Sequence, residues 1–343
     1  MRLSLALCLS LVAAPLVAQA PPRGAAKRVP FEPGVRVYLL VDMEGMGSAV
    51  GGREVIAGTE GEAYKDRGGQ DWWNHYRGML TDETNATIRG ARGGGAKSFV
   101  VNEGHGANRF ATLEPWSLDP AAILIRGYPK PMVMSTGIDS TFATAMFLAM
   151  HASPARPGVM AHNYAYSDFK VNGTFLNETG INALVLGEEG VSVSLVSGDD
   201  ELEQEVRQIL GERVVFVTTK IALNSNSAIT FSPPVVQKRL QDGAREAMRR
   251  ALAHEIKPFT LARGHGQHRQ PRRVATITDP ASHRHHTGGR PLRPAVAQRV
   301  FGALGGSDGP VEVGRSSDAV DRRDGGVGRR GVGGAGSRLA SGG

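Results

Sequence analysis

Two carboxylates one residue apart, Asp42 and Glu44, close the strand-like apolar run in "VYLLVDMEGMGSAVGG" (37–52). Charges that close repel each other unless bound cations neutralise them. Further along, Glu103 and His105 stand in "VNEGHG", His151 closes "AMFLAMH", His162 lies in "GVMAHNYAY", and Glu178 lies in "NETGINA". Mixed carboxylate and imidazole sets without cysteine are what a hydrolytic Zn²⁺ site uses, with Zn–N near ~2.0–2.1 Å and Zn–O near ~2.0–2.2 Å. A second metal about 3.5–4 Å away needs a bridging carboxylate, a task that closely spaced acids suit. Taken singly, each residue also has a plainer role. Asp42 can cap a turn, Glu44 can be solvated, and His105 can be a loop residue between glycines. His151 and His162 can be hydrogen-bonded core histidines, and Glu178 can complement a helix dipole.

The elements that must position these groups follow from local pattern. "VRVYLLV" (35–41) is a continuous apolar run of the kind buried on both faces of an α/β sheet. Residues 72–93 have a helical pattern that stops at Gly93-Gly94-Gly95, and "KSFVVN" (97–102) is the next strand. "ATAMFLAMH" and "GVMAHNYAY" read as two further strands, and Asn172-Gly173 within "FKVNGTFL" as a hairpin turn. A helix over 177–187, a strand at "VSVSLVSG", an acid-fronted helix at "DDELEQEVRQILG", a strand at "RVVFVTT" and a long helix over 233–254 complete the body. Strands alternating with helices predict an α/β fold with a mostly parallel sheet flanked by helices and a second, smaller α/β portion. In such open sheets functional residues gather outside the carboxyl ends of the strands. Asp42, Glu44, Glu103, His105 and His151 all stand at strand ends, His162 within a strand-like segment, and Glu178 opens a helix.

Composition bounds the rest. Residues 1–20, "MRLSLALCLSLVAAPLVAQA", have a basic start, an apolar stretch and an Ala18-Gln19-Ala20 site, the pattern of a signal peptide, so the chain is expected to be exported to the periplasm or secreted. The one cysteine, Cys8, lies inside that segment, so a metal site in the mature chain must be built from His, Asp and Glu. The net charge of +7 is a property of the C-terminus, where 14 Arg and 6 acidic residues lie from Arg263 onward. The body is close to neutral, so charge does not mark it as a binder of nucleic acid. The expected organisation is a signal peptide (1–20), a linker (21–34), an α/β body (35–258) and an atypical Gly/Arg-rich tail (259–343). From Thr260 onward there is no Lys, Asn or Tyr and one aromatic residue, Phe301. That bias fits a disordered tail or a frameshifted reading of a GC-rich gene. "SHRHH" (282–286) is read as at most an adventitious metal binder.

At its candidate residues the chain resembles the zinc-dependent D-aminopeptidases of the DppA type. The resemblance starts at "VDMEG" (41–45) and continues through "TDETNATIRGARGGGAKSFVVNEGHG". It then covers "GIDSTFATAMFLAMHA", "PGVMAHNYAY", "VNGTFLNETGINA" and "VSLVSGDD", in order over roughly 35–252. It implies a site holding two Zn²⁺ per chain, with Asp42, Glu44, His105, His151 and Glu178 as ligands and Asp42 as the bridge. His162 matches the family's catalytic histidine, and Glu103 an acid expected to orient a ligand. Asn177 departs from the glycine usual before the metal-binding glutamate, and the family's closing strands have no evident counterpart beyond Pro258, which leaves open edges.

These readings predict an exported dinuclear-zinc aminopeptidase acting on short peptides, among them D-amino-acid peptides, through metal-activated water. The alternatives are another metal-dependent amide or phosphoester hydrolase on the same scaffold, or an inactive truncated or frameshifted member. The expected partner is a short peptide, with no nucleic acid and no stable membrane association unless the leader is retained. The resemblance adds a homo-oligomer if the C-terminus folds.

Overall fold

The apolar run at the start of the body forms strand β1 (Arg36–Val41), whose residues after Arg36 are all buried. Full burial is worth about 1.5–3 kcal/mol for each large apolar side chain, which is why this run occupies the sheet centre. The computed structural model describes residues 33–55, 69–106, 109–164, 168–261, 275–278 and 313–314. The signal peptide, nearly all of the linker, "SHRHH" and most of the tail lie outside the described residues.

β1 is flanked by β2 (Ser98–Glu103) and β4 (Thr144–Leu148), both parallel to it, with β3 (Ala122–Ile125) beyond β2. On the other side the sheet continues through β7 (Val193–Asp199), β8 (Val215–Asn224) and the antiparallel β9 (Ser227–Thr230), giving the order β3-β2-β1-β4-β7-β8-β9. The chain builds β1, β2 and β3 outward in one direction and then returns to the far side of β1. That reversal is the topological switch where such sheets open a crevice. Register levels the strand ends, since Val41 lies opposite both Glu103 and Leu148.

Alternation along the strands separates two cores. Val37, Leu39 and Val41 pack with α2 (Gly69–Gly93) and α5 (Pro233–Leu252). Tyr38 and Leu40 pack on the opposite face with α3 (Glu178–Glu188) and α4 (Asp200–Leu210). A four-residue helix, α1 (Gly52–Val55), follows the β1 loop. Helices α2 and α5 touch backbone to backbone at Gly90, where a Cβ would stand 2.1 Å from the Gln241 carbonyl oxygen.

The Asn172-Gly173 signal is a turn between β5 (Asp168–Val171) and β6 (Thr174–Phe175), with φ of 53° and 78° at the two residues. Phe169, Val171 and Leu176 pack on Ile181, Leu184 and Val185 of α3. Helix α3 is therefore covered on both sides, which explains why residues 178–187 are all buried. Beyond Pro258 two short strands are described. The β-branched "ATIT" forms β10 (Ala275–Thr278), which covers the edge of β5, with β11 (Val313–Gly314) beside it. Strands β3 and β9 were not anticipated, both being short and partly exposed.

"GVMAHNYAY" is not a strand. The described part of this segment has no ladder partner, and Met160 and Tyr164 have φ of 52° and 46°. Irregular backbone there turns His162 back toward β4. Among the described residues, no helix is long and apolar enough to cross a membrane.

Candidate metal centre

The loop after β1 crosses the loop after β4 at Gly45, whose amide donates to the Ala149 carbonyl at 2.8 Å. A Cβ on Gly45 would stand 1.9 Å from the Met150 carbonyl oxygen, so the glycine of "VDMEG" permits the crossing. Asp42 donates its backbone amide to the Leu148 carbonyl at 2.9 Å, which sets it beside the segment carrying His151.

Six sequence-predicted residues converge here. Asp42 Oδ1 lies 3.3 Å from His105 Nδ1, and Asp42 Oδ2 lies 3.6 Å from His151 Nε2. Glu44 Oε2 is 2.9 Å from His105 Nδ1, and Glu178 Oε1 is 3.8 Å from His151 Nε2. His162 Nε2 faces Glu44 and Glu178, each at 3.8 Å. Two overlapping triads able to hold an ion share one carboxylate: Asp42, Glu44 and His105, and Asp42, His151 and Glu178. Glu44, His151 and His162 form a third grouping.

The three imidazoles follow one rule. His105 Nε2 is 2.6 Å from the Val55 carbonyl, His151 Nδ1 is 2.9 Å from that of Ala152, and His162 Nδ1 is 2.9 Å from that of Met160. Each backbone carbonyl takes one ring N–H, which leaves the other nitrogen as the inward-facing donor atom, the arrangement usual for metal-binding histidine.

Chemical fit is visible in what the cluster lacks. Glu44 Oε2 and His151 Nε2 are buried without an aligned hydrogen-bond partner, and unpaired buried polar atoms are costly. Burial and the Glu44 charge push Asp42 up to about 7. Burial would raise Glu44 too, but the imidazoles of His105, His162 and His151 hold it well below the usual carboxylate range. Burial opposes protonation of His151, yet Glu178, Glu44 and Asp42 raise it to about 9. The same contest, led by Glu44, keeps His105 well above an ordinary imidazole. The pocket gathers positive charge where a cation would go, and the donor set suits a borderline metal ion.

Supports sit behind these groups. Asn177 caps α3 by accepting from the Gly180 amide at 2.8 Å, and donates to Glu205 at 2.7 Å. Glu205 also accepts from the Ser153 amide at 2.9 Å, so one buried carboxylate ties the segment of His151 to that of Glu178. The departure at Asn177 is thus a working cap. His162 is set by its own amide on the Ala152 carbonyl at 3.1 Å, while Asp199 accepts from the Val159 amide at 2.7 Å.

Glu103 does not orient a ligand as expected. Its carboxylate turns toward the segment that follows β2, where it accepts from the Leu113 amide at 2.7 Å and faces Arg126 at 3.2 Å. Lys220 and Glu83 were missed, though each leaves a trace in the sequence: a lone lysine inside the strand "VFVTTKIALN", and an acid seven residues from Tyr76 on the apolar stripe of α2.

Comparison with known proteins agrees with the geometry. The sequence model of a family described as D-aminopeptidase matches residues 35–267. A D-aminopeptidase of Bacillus subtilis (strain 168) is 31% identical over 230 residues, covering 66% of this chain and 77% of that protein. A solved structure of the Zn-dependent D-aminopeptidase DppA from Bacillus subtilis, described as a self-compartmentalizing protease, aligns with a TM-score of 0.59 at 29% identity. The alignment covers 67% of this chain and 78% of that one.

Proposed function

This chain belongs to the D-aminopeptidase family, and from that membership we propose that it is an exported dinuclear-zinc aminopeptidase that removes the N-terminal residue of short peptides containing D-amino acids. One observation carries the dinuclear reading: Asp42 presents one oxygen to His105 and the other to His151, so a single carboxylate belongs to both triads. In this reading Asp42, Glu44 and His105 hold one zinc ion, and Asp42, His151 and Glu178 hold the other. Zinc in such a site supplies a Lewis acid and a water-derived nucleophile at neutral pH.

The remaining work falls to the chain. Glu44 and Glu178 each lie 3.8 Å from His162 Nε2, so the open imidazole stands against the buried carboxylates of both proposed zinc positions. His162 is the only histidine of the cluster that opens to solvent, with its side chain 44% exposed. The Met160 carbonyl fixes its Nδ1, so Nε2 holds or moves a proton at the scissile amide. The buried sides of His105 and His151 exclude water behind the reacting atoms.

Export rests on the signal-peptide pattern of residues 1–20, and N-terminal sequencing of the mature chain checks it. A homo-oligomer is suggested by the self-compartmentalizing relative, and light scattering measures it. The substrate in this reading is a short peptide. The deciding experiment is metal content per chain together with hydrolysis of D-Ala-D-Ala and L-Ala-L-Ala. About two zinc ions with D-selective cleavage is the expected result; a folded chain that takes up no zinc overturns the proposal.

A further inference from the structure

The loop that carries Asp42 and Glu44 is gripped from beneath by β8. Lys220 on that strand is fully buried. Its ammonium donates to the Glu44 carbonyl at 2.5 Å, the Met46 carbonyl at 3.0 Å and the Ala49 carbonyl. A lysine ammonium has three N–H donors and no acceptor, so three carbonyls saturate it. Thr219, one residue earlier, donates its hydroxyl to the Gly45 carbonyl at 2.6 Å. Residues 219 and 220 thereby take the carbonyls of Glu44, Gly45 and Met46 in succession. From α2, Glu83 accepts the Gly47 amide at 2.9 Å.

Nothing about core packing requires a charge at this position. Burying an ammonium costs several kcal/mol unless it is fully hydrogen-bonded, and an apolar side chain of similar volume fills such a space at least as well. What the lysine provides is geometry. Residues 42–50 are neither helix nor strand, so the backbone there has no regular ladder to hold it. The carbonyls of Glu44, Met46 and Ala49 are instead drawn to a single buried point, which fixes the backbone directly after the Glu44 side chain.

We propose that Lys220, with Thr219, is the positioning residue of the metal centre: by holding the carbonyls of residues 44–49 on β8 it aims the Asp42 and Glu44 carboxylates before a metal arrives. This rests on the reading of Asp42 and Glu44 as zinc ligands. A loop ordered in advance spends no binding energy on ordering itself, so the effect falls on metal affinity. Groups that orient metal ligands typically change affinity about 10- to 100-fold when removed.

The test uses the full-length chain and Lys220→Met, which keeps the length of the side chain and removes all three donors. Zinc affinity is measured by competition with a chromophoric chelator, and the ligand geometry by the visible bands of the cobalt-substituted protein. Lys220→Met is expected to bind zinc about 10- to 100-fold more weakly and to shift the cobalt bands, with native helix content by circular dichroism. A folded Lys220→Met with unchanged affinity and bands overturns the positioning role and leaves the proposed function standing. An unaltered chain that binds no zinc removes the ligand reading and this inference together. Thr219→Val is measured in parallel and decides the matter if Lys220→Met fails to fold. Loss of its single donor to Gly45 is expected to weaken zinc binding several-fold, and an unchanged affinity in that variant overturns the proposal.

Discussion

His151 and His162 stack almost parallel, with ring centroids 3.8 Å apart and planes inclined by 14°. Their surroundings differ sharply, since the His151 side chain is 1% exposed and that of His162 is 44% exposed. Two imidazoles of equal chemistry are thereby divided. The buried one presents an unpartnered Nε2 to the cluster, and the open one reaches both the carboxylates and the solvent.

The division predicts that His162→Ala keeps its zinc while kcat falls by about 10²–10⁴-fold, the usual contribution of a positioned acid–base group. Metal analysis and steady-state kinetics on one preparation check both halves. An unaltered kcat removes His162 from the mechanism.

Asp42 is common to two triads, whereas Glu178 belongs to only one of those two. Asp42→Ala is accordingly expected to lose most zinc from both positions, and Glu178→Ala to retain about one ion per chain. Elemental analysis after dialysis reads the stoichiometry. Retention of two ions by Asp42→Ala would show that the carboxylate is not shared.

Asn177 carries two loads: it caps α3 and binds Glu205, which in turn holds Ser153. Asn177→Ala should cost about 1–3 kcal/mol, combining a lost cap with a buried carboxylate left short of a donor. Zinc binding should weaken as well, because Glu178 is the next residue. Denaturant unfolding of the metal-free chain measures the first effect, and a cost below about 0.5 kcal/mol would mean that the cap is idle.

Glu83 supplies the pH dependence. Its burial pushes the carboxyl up to about 7, with the Gly47 amide and Lys220 offsetting part of the rise and Asp82 adding to it. A carboxyl raised in the folded state binds more protons folded than unfolded between about 4.5 and about 7. Its stabilising contribution is therefore complete below about 4.5 and is lost as pH rises through about 7. Glu83→Gln removes that titration while keeping an acceptor for Gly47. Relative to the unaltered chain the variant should gain up to about 3 kcal/mol on going from pH 4.5 to pH 8, less what Lys220 loses with its counter-charge. Parallel unfolding curves at the two pH values test this, and a pH-independent difference would contradict it.

How much was readable in advance differs by element. β1, β2, β4, α4 and α5 follow from apolar runs, periodicity and an acidic first turn, all of which are local. The Asn172-Gly173 hairpin follows from backbone preference at two residues. "GVMAHNYAY" misled because an apolar, β-prone composition does not supply a partner strand. Its amides instead find Asp199 and the Ser225 carbonyl. The short strands β3, β9 and β10 were missed because edge pairing depends on which neighbour arrives, not on the segment itself.

The sequence by itself determined the donors: Asp42, Glu44, His105, His151, His162 and Glu178 were identifiable from residue type, strand-end position and resemblance, because side-chain chemistry is written residue by residue. Tertiary structure alone decided their arrangement. Placing β1 between β2 and β4 in level register brought three loops to one crevice, and strand order is set by non-local pairing that no local period encodes. The same holds for what steadies the site. Lys220 lies 176 residues from the carbonyl it holds at Glu44, and Glu103, for all its proximity to His105 in the chain, turned to a different task because tertiary packing brings the Leu113 amide and Arg126 to its carboxylate.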